Sequence, residues 1–271
     1  MINAMPRIAI AMNDFSEAVT TFRDTFGMPV VDFSPRTVPD LGAHVGMVAP
    51  PGGSMIELMS PANPDLPLSQ AIQRFLDRRG EGFYALMLEA AKPDEEAEEL
   101  TARGMNVLPL MPGASGRDIH PSSTHGVLIR VYPDGSVGEL DIADQSNLGL
   151  SGIVSGVIAT TDASKAAKAY GHGLGLAVGA AIDDCDRGVQ TVTVTPTAGG
   201  TIELVSAIDT SKPLGQAVEQ TLADRGEGLF SVCLRADDPA AAANTLAARG
   251  LDVGGPNGRD VTVFGARIQI V

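Results

Sequence analysis

The hydrophobic and polar positions of the chain follow two periods, one typical of short strands and one typical of amphipathic helices. The strand pattern RIAIAM (7–12) leads to the helical pattern DFSEAVTTFRDTFG (14–27), and three further short strands follow, bounded by glycine or proline. The same order recurs from GFYALMLEA (82–90) through KPDEEAEELTARG (92–104), whose apolar and acidic residues fall on opposite helix faces. The pattern predicts two βαβββ units in the first half of the chain and two more in the second half.

Several segments of the first half return in the second half, which indicates a duplication. The matching pairs are GSMIELMS (53–60) with GTIELVS (200–206), PLSQAIQRFLDRRGEG (67–82) with PLGQAVEQTLADRGEG (213–228), LTARGMNV (100–107) with LAARGLDV (246–253), and SGRDI (115–119) with NGRDV (257–261). Glu57 and Glu203 are 146 positions apart, whereas Ile119 and Val261 are 142 apart, so the second copy carries a deletion. We therefore predict two homologous domains, residues 1–140 and 151–271, joined by a segment rich in Gly, Asp and Ser.

The composition narrows the classes of partner. The chain of 271 residues has 33 acidic and 19 basic side chains, a formal charge of −14. This charge disfavours nucleic acid and anionic membranes, which attract basic surfaces. No apolar run reaches the roughly 18 residues of a membrane span, and the N-terminal stretch lacks a secretory pattern. Cys185 and Cys233 form no C-x-x-C pair, so we expect a reduced, cytoplasmic setting. The ten methionines either fill gaps in a core or line an adaptable apolar cavity.

Five segments of the first half carry a resemblance to a known superfamily. They are RIAIAMNDFSEAVTTFRDTFGM (7–28), VPDLGAHVGMV (38–48), SMIELMSP (54–61), PLSQAIQRFLDRRGEG (67–82) and HPSSTHGVLIRV (120–131). They resemble the vicinal oxygen chelate superfamily of glyoxalases, bleomycin-resistance proteins and dioxygenases, most closely the methylmalonyl-CoA epimerases. The resemblance implies an α+β fold of four βαβββ modules arranged as two tandem domains, each curved around a cup. The second half fits the same template more loosely.

The resemblance also implies where a divalent metal ion would be bound, because each cup of the family carries four ligand positions, usually two His and two Glu or Gln. In the first cup these positions hold Arg7, Glu57, Ala85 and Arg130, and in the second cup Ser155, Glu203, Ser231 and Gln269. One carboxylate in a cup does not satisfy a catalytic divalent ion, which requires several fixed protein ligands. We therefore expect no metal and no other cofactor.

The first cup has two interpretations. Arg7 and Arg130 either form a buried network with Glu57 that fills the former metal site, or clamp an anionic group of a substrate with their guanidinium forks. Asp40 stands where the family has a proton-transferring glutamate, and His44 follows it on the next strand. Either side chain could act as an acid or base in a dry cup, although Asp40 also fits a plain turn residue.

The HPSSTHG segment is the other feature that the family shares. The resemblance implies that its side chains contact an acyl-CoA or a similar ligand, and these side chains are His120, Ser122, Ser123, Thr124 and His125. The alternative is a polar turn whose hydroxyl groups bind the loop backbone. The second cup lacks this segment and any cationic group, so it either supports the first cup or binds a neutral ligand.

Three functions remain open at this point. The first is a metal-independent isomerase, epimerase or lyase that acts on a small carboxylate or acyl thioester, with Asp40, His44 and Glu57 as the groups that transfer protons. The second is a metal-free binding protein that sequesters a small apolar or aromatic compound. The third, which the missing ligands disfavour, is a metal-dependent epimerase or dioxygenase. In each case the partner is a small molecule, and the chain is a monomer or a homodimer.

Overall fold

The computed structural model describes residues 1–34, 42–140, 142 and 148–271. The first half contains β1 (Ile2–Ala11), α1 (Phe15–Thr20), β2 (Val30–Asp32), β3 (Ala43–Val48), β4 (Met55–Pro61), α2 (Pro67–Arg79), β5 (Gly82–Ala90), α3 (Pro93–Ala102), β6 (Arg117–Ile119) and β7 (Ile129–Pro133). A π-helical turn, Thr21–Thr25, extends α1, and a 3-10 turn, Pro121–Ser123, precedes β7.

The second half repeats this order. It contains β8 (Leu150–Ala159), α4 (Ala163–Lys168), β9 (Ala177–Asp184), β10 (Val189–Thr195), β11 (Ala198–Gly199), β12 (Thr201–Ala207), α5 (Pro213–Arg225), β13 (Gly228–Ala236), α6 (Pro239–Ala248), β14 (Val253–Gly254), β15 (Asp260–Val263) and β16 (Ala266–Ile270). A second π-helical turn, Ala169–Gly173, extends α4. The first helix of each half begins at an aspartate, Asp14 or Asp162, whose carboxylate accepts a hydrogen bond from the backbone three residues on.

Two mixed sheets of eight strands form the framework, as the predicted α+β fold requires. The first sheet runs β2-β3-β4-β1-β5-β7-β6 with β11 added beside β1, and the second runs β14-β15-β16-β13-β8-β12-β10-β9. Glu57 on β4 lies beside Ala9 of β1, and Glu203 on β12 lies beside Val157 of β8. The two glutamates therefore occupy equivalent positions in the two halves, which confirms the tandem architecture.

One predicted strand is reduced to a remnant. The first of the three strands predicted after the helical pattern 92–104, MNVLP (105–109), makes only an isolated bridge between Val107 and Ile119. Leu108 still donates a backbone hydrogen bond to Asp118, and Pro109, which follows, has no N–H to continue the ladder. The corresponding strand of the second half is the two-residue β14.

Two layers of helices bury the two faces of the first sheet. Ile8, Ile10 and Leu58 pack with Phe22 and Phe26 in a core that extends into the second half. On the opposite face, α2 covers the strands, and the residues that meet there are Ala9, Ala11, Met59, Ala85 and Met87 of the sheet with Leu68, Ile72 and Leu76 of α2. This second face is the first cup, and α2 therefore packs directly over it.

The two halves are joined by backbone pairing and by several side chains. β11 of the second half pairs in parallel with β1 of the first, and Ser54 bridges Ile153. The buried hydroxyl of Tyr170 donates to the carbonyl oxygen of Thr124 across the junction at 3.0 Å. Within the described residues no helix is both long enough and apolar enough to span a bilayer.

Candidate functional site

Arg7 and Glu57 form a buried ion pair at the base of the first cup. Nε of Arg7 donates to Oε2 of Glu57 at 2.6 Å, and the two residues are only 4% and 5% exposed. The guanidinium also lies 4.5 Å from the centre of the Tyr132 ring. Burial is the largest single influence and lowers the pKa of Arg7, but the charge and hydrogen bond of Glu57 act together with Tyr132 and Glu89, so the pKa is raised. Arg7 therefore stays charged, and its charge is balanced inside the protein.

The pair continues into a short hydrogen-bonded chain. Nη1 of Arg7 donates to the hydroxyl of Ser136 at 2.7 Å, and that hydroxyl donates to Oε1 of Glu89 at 2.7 Å. The backbone N–H of Ser136 also donates to Oε1 of Glu89, at 2.8 Å. The segment after β7 thus closes the cup from the side of the inter-domain connection.

Arg130 belongs to a separate pair. Its Nε and Nη2 donate to the two carboxylate oxygens of Asp118 at 2.5 and 2.7 Å, a bidentate arrangement. Burial is the largest single influence and lowers the pKa of Arg130, but the hydrogen bond and charge of Asp118 act together with Tyr132 and Tyr84, and the pKa is raised well above its ordinary value. The expected network of Arg7, Glu57 and Arg130 is thus replaced by two pairs, because Asp118 on β6 lies directly opposite Arg130 on β7.

The structure does not bring His44 together with Glu57. His44 pairs with Ser60 on β4 and is exposed on the α1 side of the sheet, where its ring stacks on Phe15 at a centroid distance of 5.4 Å. Glu57 faces the α2 side, since strand neighbours separated by an odd number of residues point to opposite faces. Asp40, the other expected proton-transfer group, lies outside the described residues.

The HPSSTHG segment forms a compact turn with internal hydrogen bonds. The backbone N–H of Ser122 donates to Nδ1 of His120 at 3.1 Å, and the Ser123 hydroxyl accepts from the backbone of Asn106 at 2.8 Å. The buried Thr124 hydroxyl donates to the carbonyl oxygen of Val127. These contacts match the polar-turn interpretation of the segment.

His125 connects this turn to the other half of the chain. Its backbone has a φ of 52°, in the left-handed region, and its Nδ1 lies 2.8 Å from Oε2 of Glu227. Oε1 of Glu227 accepts from the backbone N–H and the hydroxyl of Thr161, both at 2.8 Å. Burial raises the pKa of Glu227, but the hydrogen bonds from Thr161 and His125 outweigh burial, so the pKa is lowered.

The second cup is polar but lacks an arginine at its base. Ser155 and Ser231 are buried, Glu203 and Gln269 are partly buried, and Cys233 lies between Ser155 and Gln269. The Cys233 thiol is 3.3 Å from Oε1 of Gln269, and burial raises its pKa to about 11.

The second cup has an arginine at a different position of its last strand. Arg267, two residues before the Gln269 position, donates from Nε and Nη2 to Oδ2 of Asp260 and covers the Phe230 ring at 4.5 Å. Asp260 is the counterpart of Asp118 in the duplicated GRD motif. Both halves therefore have the aspartate, but its arginine partner occupies a different position of the last strand in each half.

The described donor groups do not fit the divalent metal of the family. In the first cup the single carboxylate at a ligand position, Glu57, is already bound to Arg7, and Arg130 occupies another ligand position. In the second cup only Glu203 and Gln269 offer oxygen ligands of the expected kind. Across the described residues no group of three or more His, Cys, Asp or Glu is arranged to hold a metal ion.

The cavity that stands out in the described structure lies between the two halves. It has a volume of about 500 Å³, and the last turns of α2 and α5 line it from opposite sides. Its apolar wall is formed by Phe75, Phe83, Tyr84, Leu128, Leu229 and Phe230, and its polar wall by Arg74, Arg78, Arg79, Arg225, Glu227 and Arg267. We call it the central cavity.

The central cavity gives the duplicated RGEG segments their structural role. Glu81 and Glu227 each anchor the segment to the loop after the first strand of the same half, at Asn13 and Thr161. A Cβ atom at Gly126 would overlap the carbonyl oxygen of Glu227, so that turn presses directly on the second RGEG segment. Gly265 contacts the backbone of Glu81 in the same way. Each RGEG segment is therefore a contact surface for the opposite half.

Sequence reasoning missed the arginines of this cavity. The signal was present in the repeat itself, because Arg79 and Arg225 immediately precede the GEG of each copy. What a single sequence does not reveal is that the two helix ends meet across the junction, which depends on how the halves pack.

The fold identifies the class of protein. Each half contains a mixed sheet of paired βαβββ modules around a cup. Residues 7–120 and 157–263 match the model of the Glyoxalase/Bleomycin resistance protein/Dioxygenase superfamily, and the chain belongs to this superfamily. A search of curated proteins found no significant match.

Several solved structures are similar to the chain. A variant of 4-hydroxymandelate synthase from Streptomyces coelicolor has a TM-score of 0.66 at 16% identity, and the match covers 92% of this chain and 76% of the synthase. This similarity shows a common two-domain fold. A methylmalonyl-CoA epimerase variant from Streptomyces coelicolor matches 48% of this chain and 96% of its own at 24% identity, with a TM-score of 0.42. The epimerase from Mycobacterium tuberculosis matches 50% and 89% at 26% identity, with a TM-score of 0.40.

Proposed function

We propose that the chain is a metal-free binding protein of the superfamily, and that it holds a small molecule with an apolar body in the central cavity. The observation that carries this proposal is the cavity itself, an opening of about 500 Å³ that both halves line with aromatic and aliphatic side chains. This volume is within the range of about 300–1,000 Å³ typical of small-molecule sites.

The state of the first cup supports the same proposal. Arg7 and Arg130 are each engaged by a carboxylate of the chain, and α2 packs over the cup face. A substrate clamped by these arginines would have to displace the carboxylates that are hydrogen-bonded to the buried guanidiniums, which is costly in free energy. The central cavity requires no such displacement.

The rings of the cavity suit a planar ligand. Phe75 and Tyr84 meet edge to face with a centroid distance of 5.3 Å, and Phe230 lies on the opposite side beneath Arg267. Aromatic side chains contribute large apolar areas and stacking contacts to a bound ring system. The expected ligand therefore has an aromatic or branched aliphatic body.

A metal-independent isomerase or lyase acting on a small carboxylate or acyl thioester is the second candidate. The observation in its favour is Tyr84, which lines the cavity and also lies in the electrostatic field of Arg130 and Asp118. Burial raises the pKa of the Tyr84 hydroxyl against the opposing effect of Arg130, so it remains a proton donor. In this candidate Tyr84 joins Glu57 among the groups that transfer protons.

One pair of measurements separates the two candidates. Aromatic compounds and acyl thioesters are screened for a saturable rise in the melting temperature, and each compound that binds is incubated with the protein in D₂O. A binding protein raises its melting temperature and leaves the ligand unchanged. Deuterium incorporation or product formation, lost in Tyr84→Phe, would replace the binding proposal with the enzyme.

A cavity-filling variant tests the location. Thr221 of α5 lines the cavity at the position that corresponds to Phe75, so Thr221→Phe adds a ring inside the cavity. We expect this variant to lose at least about tenfold in affinity, because displacing a bound ring removes apolar contacts worth more than 1.4 kcal/mol. The matched control, Gln216→Phe, lies on an exposed face of the same helix. Unchanged affinity in Thr221→Phe would place the ligand elsewhere.

A further inference from the structure

We propose that the ligand of the central cavity is an organic anion, whose negatively charged group is bound between the guanidinium groups of Arg79 and Arg225. This inference rests on the proposed binding function and specifies the chemistry of the ligand: an aromatic or aliphatic body that carries a carboxylate, sulfonate or phosphate.

The charge of the cavity wall is opposite to that of the protein. The chain has a formal charge of −14, yet the wall carries Arg74, Arg78, Arg79 and Arg225 near one another. No carboxylate among the described residues lies within ion-pair distance of these four guanidiniums. Cations that no described carboxylate engages create a local positive potential in a concave site, and this potential attracts anions.

Arg79 and Arg225 occupy equivalent positions and reach across the junction in opposite directions. Nη1 of Arg225 lies 3.7 Å from the point where a Cβ of Gly82 would stand, and Nη1 of Arg79 lies 4.0 Å from the same point at Gly228. Each guanidinium from one half therefore rests over the RGEG segment of the other half. An anion in the cavity is flanked by two planar donor groups, a geometry that suits carboxylate, sulfonate and phosphate oxygens.

The remaining charged groups of the wall are already engaged. Glu227 is the one carboxylate among the described lining residues, and its two oxygens accept hydrogen bonds from Thr161 and His125. Arg267 is bound to Asp260 and covers Phe230. The free binding capacity of the polar wall is therefore cationic.

The polar and apolar walls meet in the same cavity. Phe75 lies on α2 between Arg74 and Arg78 in sequence, and Leu229 follows the second RGEG segment directly. A ligand with a ring at one end and an anionic group at the other satisfies both walls, whereas a neutral ring compound makes no use of the guanidiniums.

A pair of fluorescent probes with the same aromatic body tests the inference on the full-length protein. Anilinonaphthalenesulfonate carries a sulfonate, and phenylnaphthylamine has the same rings without a charge. Dissociation constants are measured for the wild type, Arg79→Gln, Arg225→Gln and the double variant. The control is Arg235→Gln, which removes one positive charge from an exposed strand position outside the cavity.

We expect the anionic probe to bind at least about tenfold more tightly than the neutral one, since a hydrogen bond to a charged group contributes about 1.5–3 kcal/mol. Arg79→Gln and Arg225→Gln should each weaken the anionic probe about tenfold and leave the neutral probe unchanged. Added salt should weaken only the anionic probe, because these arginines are exposed to solvent. Arg235→Gln should affect neither probe.

Other outcomes separate the inference from the function on which it rests. If both probes bind with equal affinity, and the double variant does not change their ratio, the anion proposal is wrong and the cavity binds apolar compounds in general. If neither probe binds, or if Thr221→Phe displaces neither, the binding function fails as well. If Arg235→Gln weakens the anionic probe as much as Arg79→Gln does, the attraction comes from overall charge and not from the two arginines.

Discussion

The ion pair of Arg7 and Glu57 gives the sharpest quantitative prediction. Replacing Arg7 by methionine keeps an apolar side chain of similar length but leaves the Glu57 carboxylate buried without its partner. Both residues are about 5% exposed, and breaking a buried pair on one side costs about 3–5 kcal/mol. That is a large part of the roughly 5–15 kcal/mol that stabilises a typical folded domain.

The same reasoning predicts recovery in the double variant. Arg7→Met combined with Glu57→Leu removes both charges, and a well-packed apolar replacement of a buried pair is often neutral or stabilising. We expect Arg7→Met to lower the melting temperature by about 6–20 °C for a protein of this size. The double variant should return to within about 1 kcal/mol of the wild type.

Urea unfolding at neutral pH, followed by circular dichroism, measures the complete double-mutant cycle. The control is Arg235→Met, an exposed arginine whose replacement should change the free energy of unfolding by less than about 0.5 kcal/mol. If Arg7→Met destabilises the protein no more than this control, or if the coupling energy of the pair is below about 0.5 kcal/mol, the pair does not hold the cup together as argued.

Three further predictions follow from the described contacts. Ser231→Ala should raise the free energy of unfolding by about 1 kcal/mol in urea titration, because the buried Ser231 hydroxyl has no hydrogen-bond partner among the described residues and the first half has alanine there; a loss of stability would reveal a partner. At pH 8 a disulfide reagent should modify the exposed Cys185 rapidly and Cys233 only after unfolding, since burial raises the pKa of Cys233 to about 11; two fast thiols would contradict its burial. Glu227→Gln should lower the melting temperature at neutral pH, and the difference from the wild type should shrink as the pH falls below about 4, near the ordinary pKa of a glutamate. The direction of this change follows from the pKa of Glu227, which is lowered in the folded protein. The stability that the carboxylate contributes is present above the unfolded-state pKa and is lost as the carboxylate, bound to His125, becomes protonated. A difference in melting temperature that grows in acid would be inconsistent with this linkage.

The pattern of strands and helices could be predicted from the sequence, because hydrophobic alternation and capping residues are local signals and the internal repeat shows each of them twice. The repeat also placed Glu57 and Glu203 at equivalent positions. The partner of Arg130 could not be predicted from the sequence, because Asp118 is 12 residues away and the pairing depends on the register of two short strands. The face of His44 depended in the same way on where its strand begins.

The central cavity marks the limit of single-sequence reasoning more clearly. Its arginines lie at the ends of two helices in different halves, and nothing in either helix alone indicates that they meet. Their approach is set by the backbone pairing of β11 with β1 and by the close contacts of Gly126 and Gly265. Such contacts between distant segments leave no periodic signal in the chain.

Because the two halves are fused in one chain and differ in sequence, the two sides of the cavity are not equivalent. In a symmetric pair of identical halves both ends of such a space would be the same, and an asymmetric guest could enter in either of two equivalent orientations. Here α2 carries Arg74 and Arg78 where α5 carries Gln220 and Asp224, which bind each other at 2.9 Å. Arg74 and Arg78 line the cavity, whereas Gln220 and Asp224 are not among its lining residues. The α2 side of the cavity therefore carries two cations that the α5 side lacks. On the proposed binding function, a guest with unlike ends is held in a single orientation, a polarity that one duplicated chain can encode and a homodimer cannot.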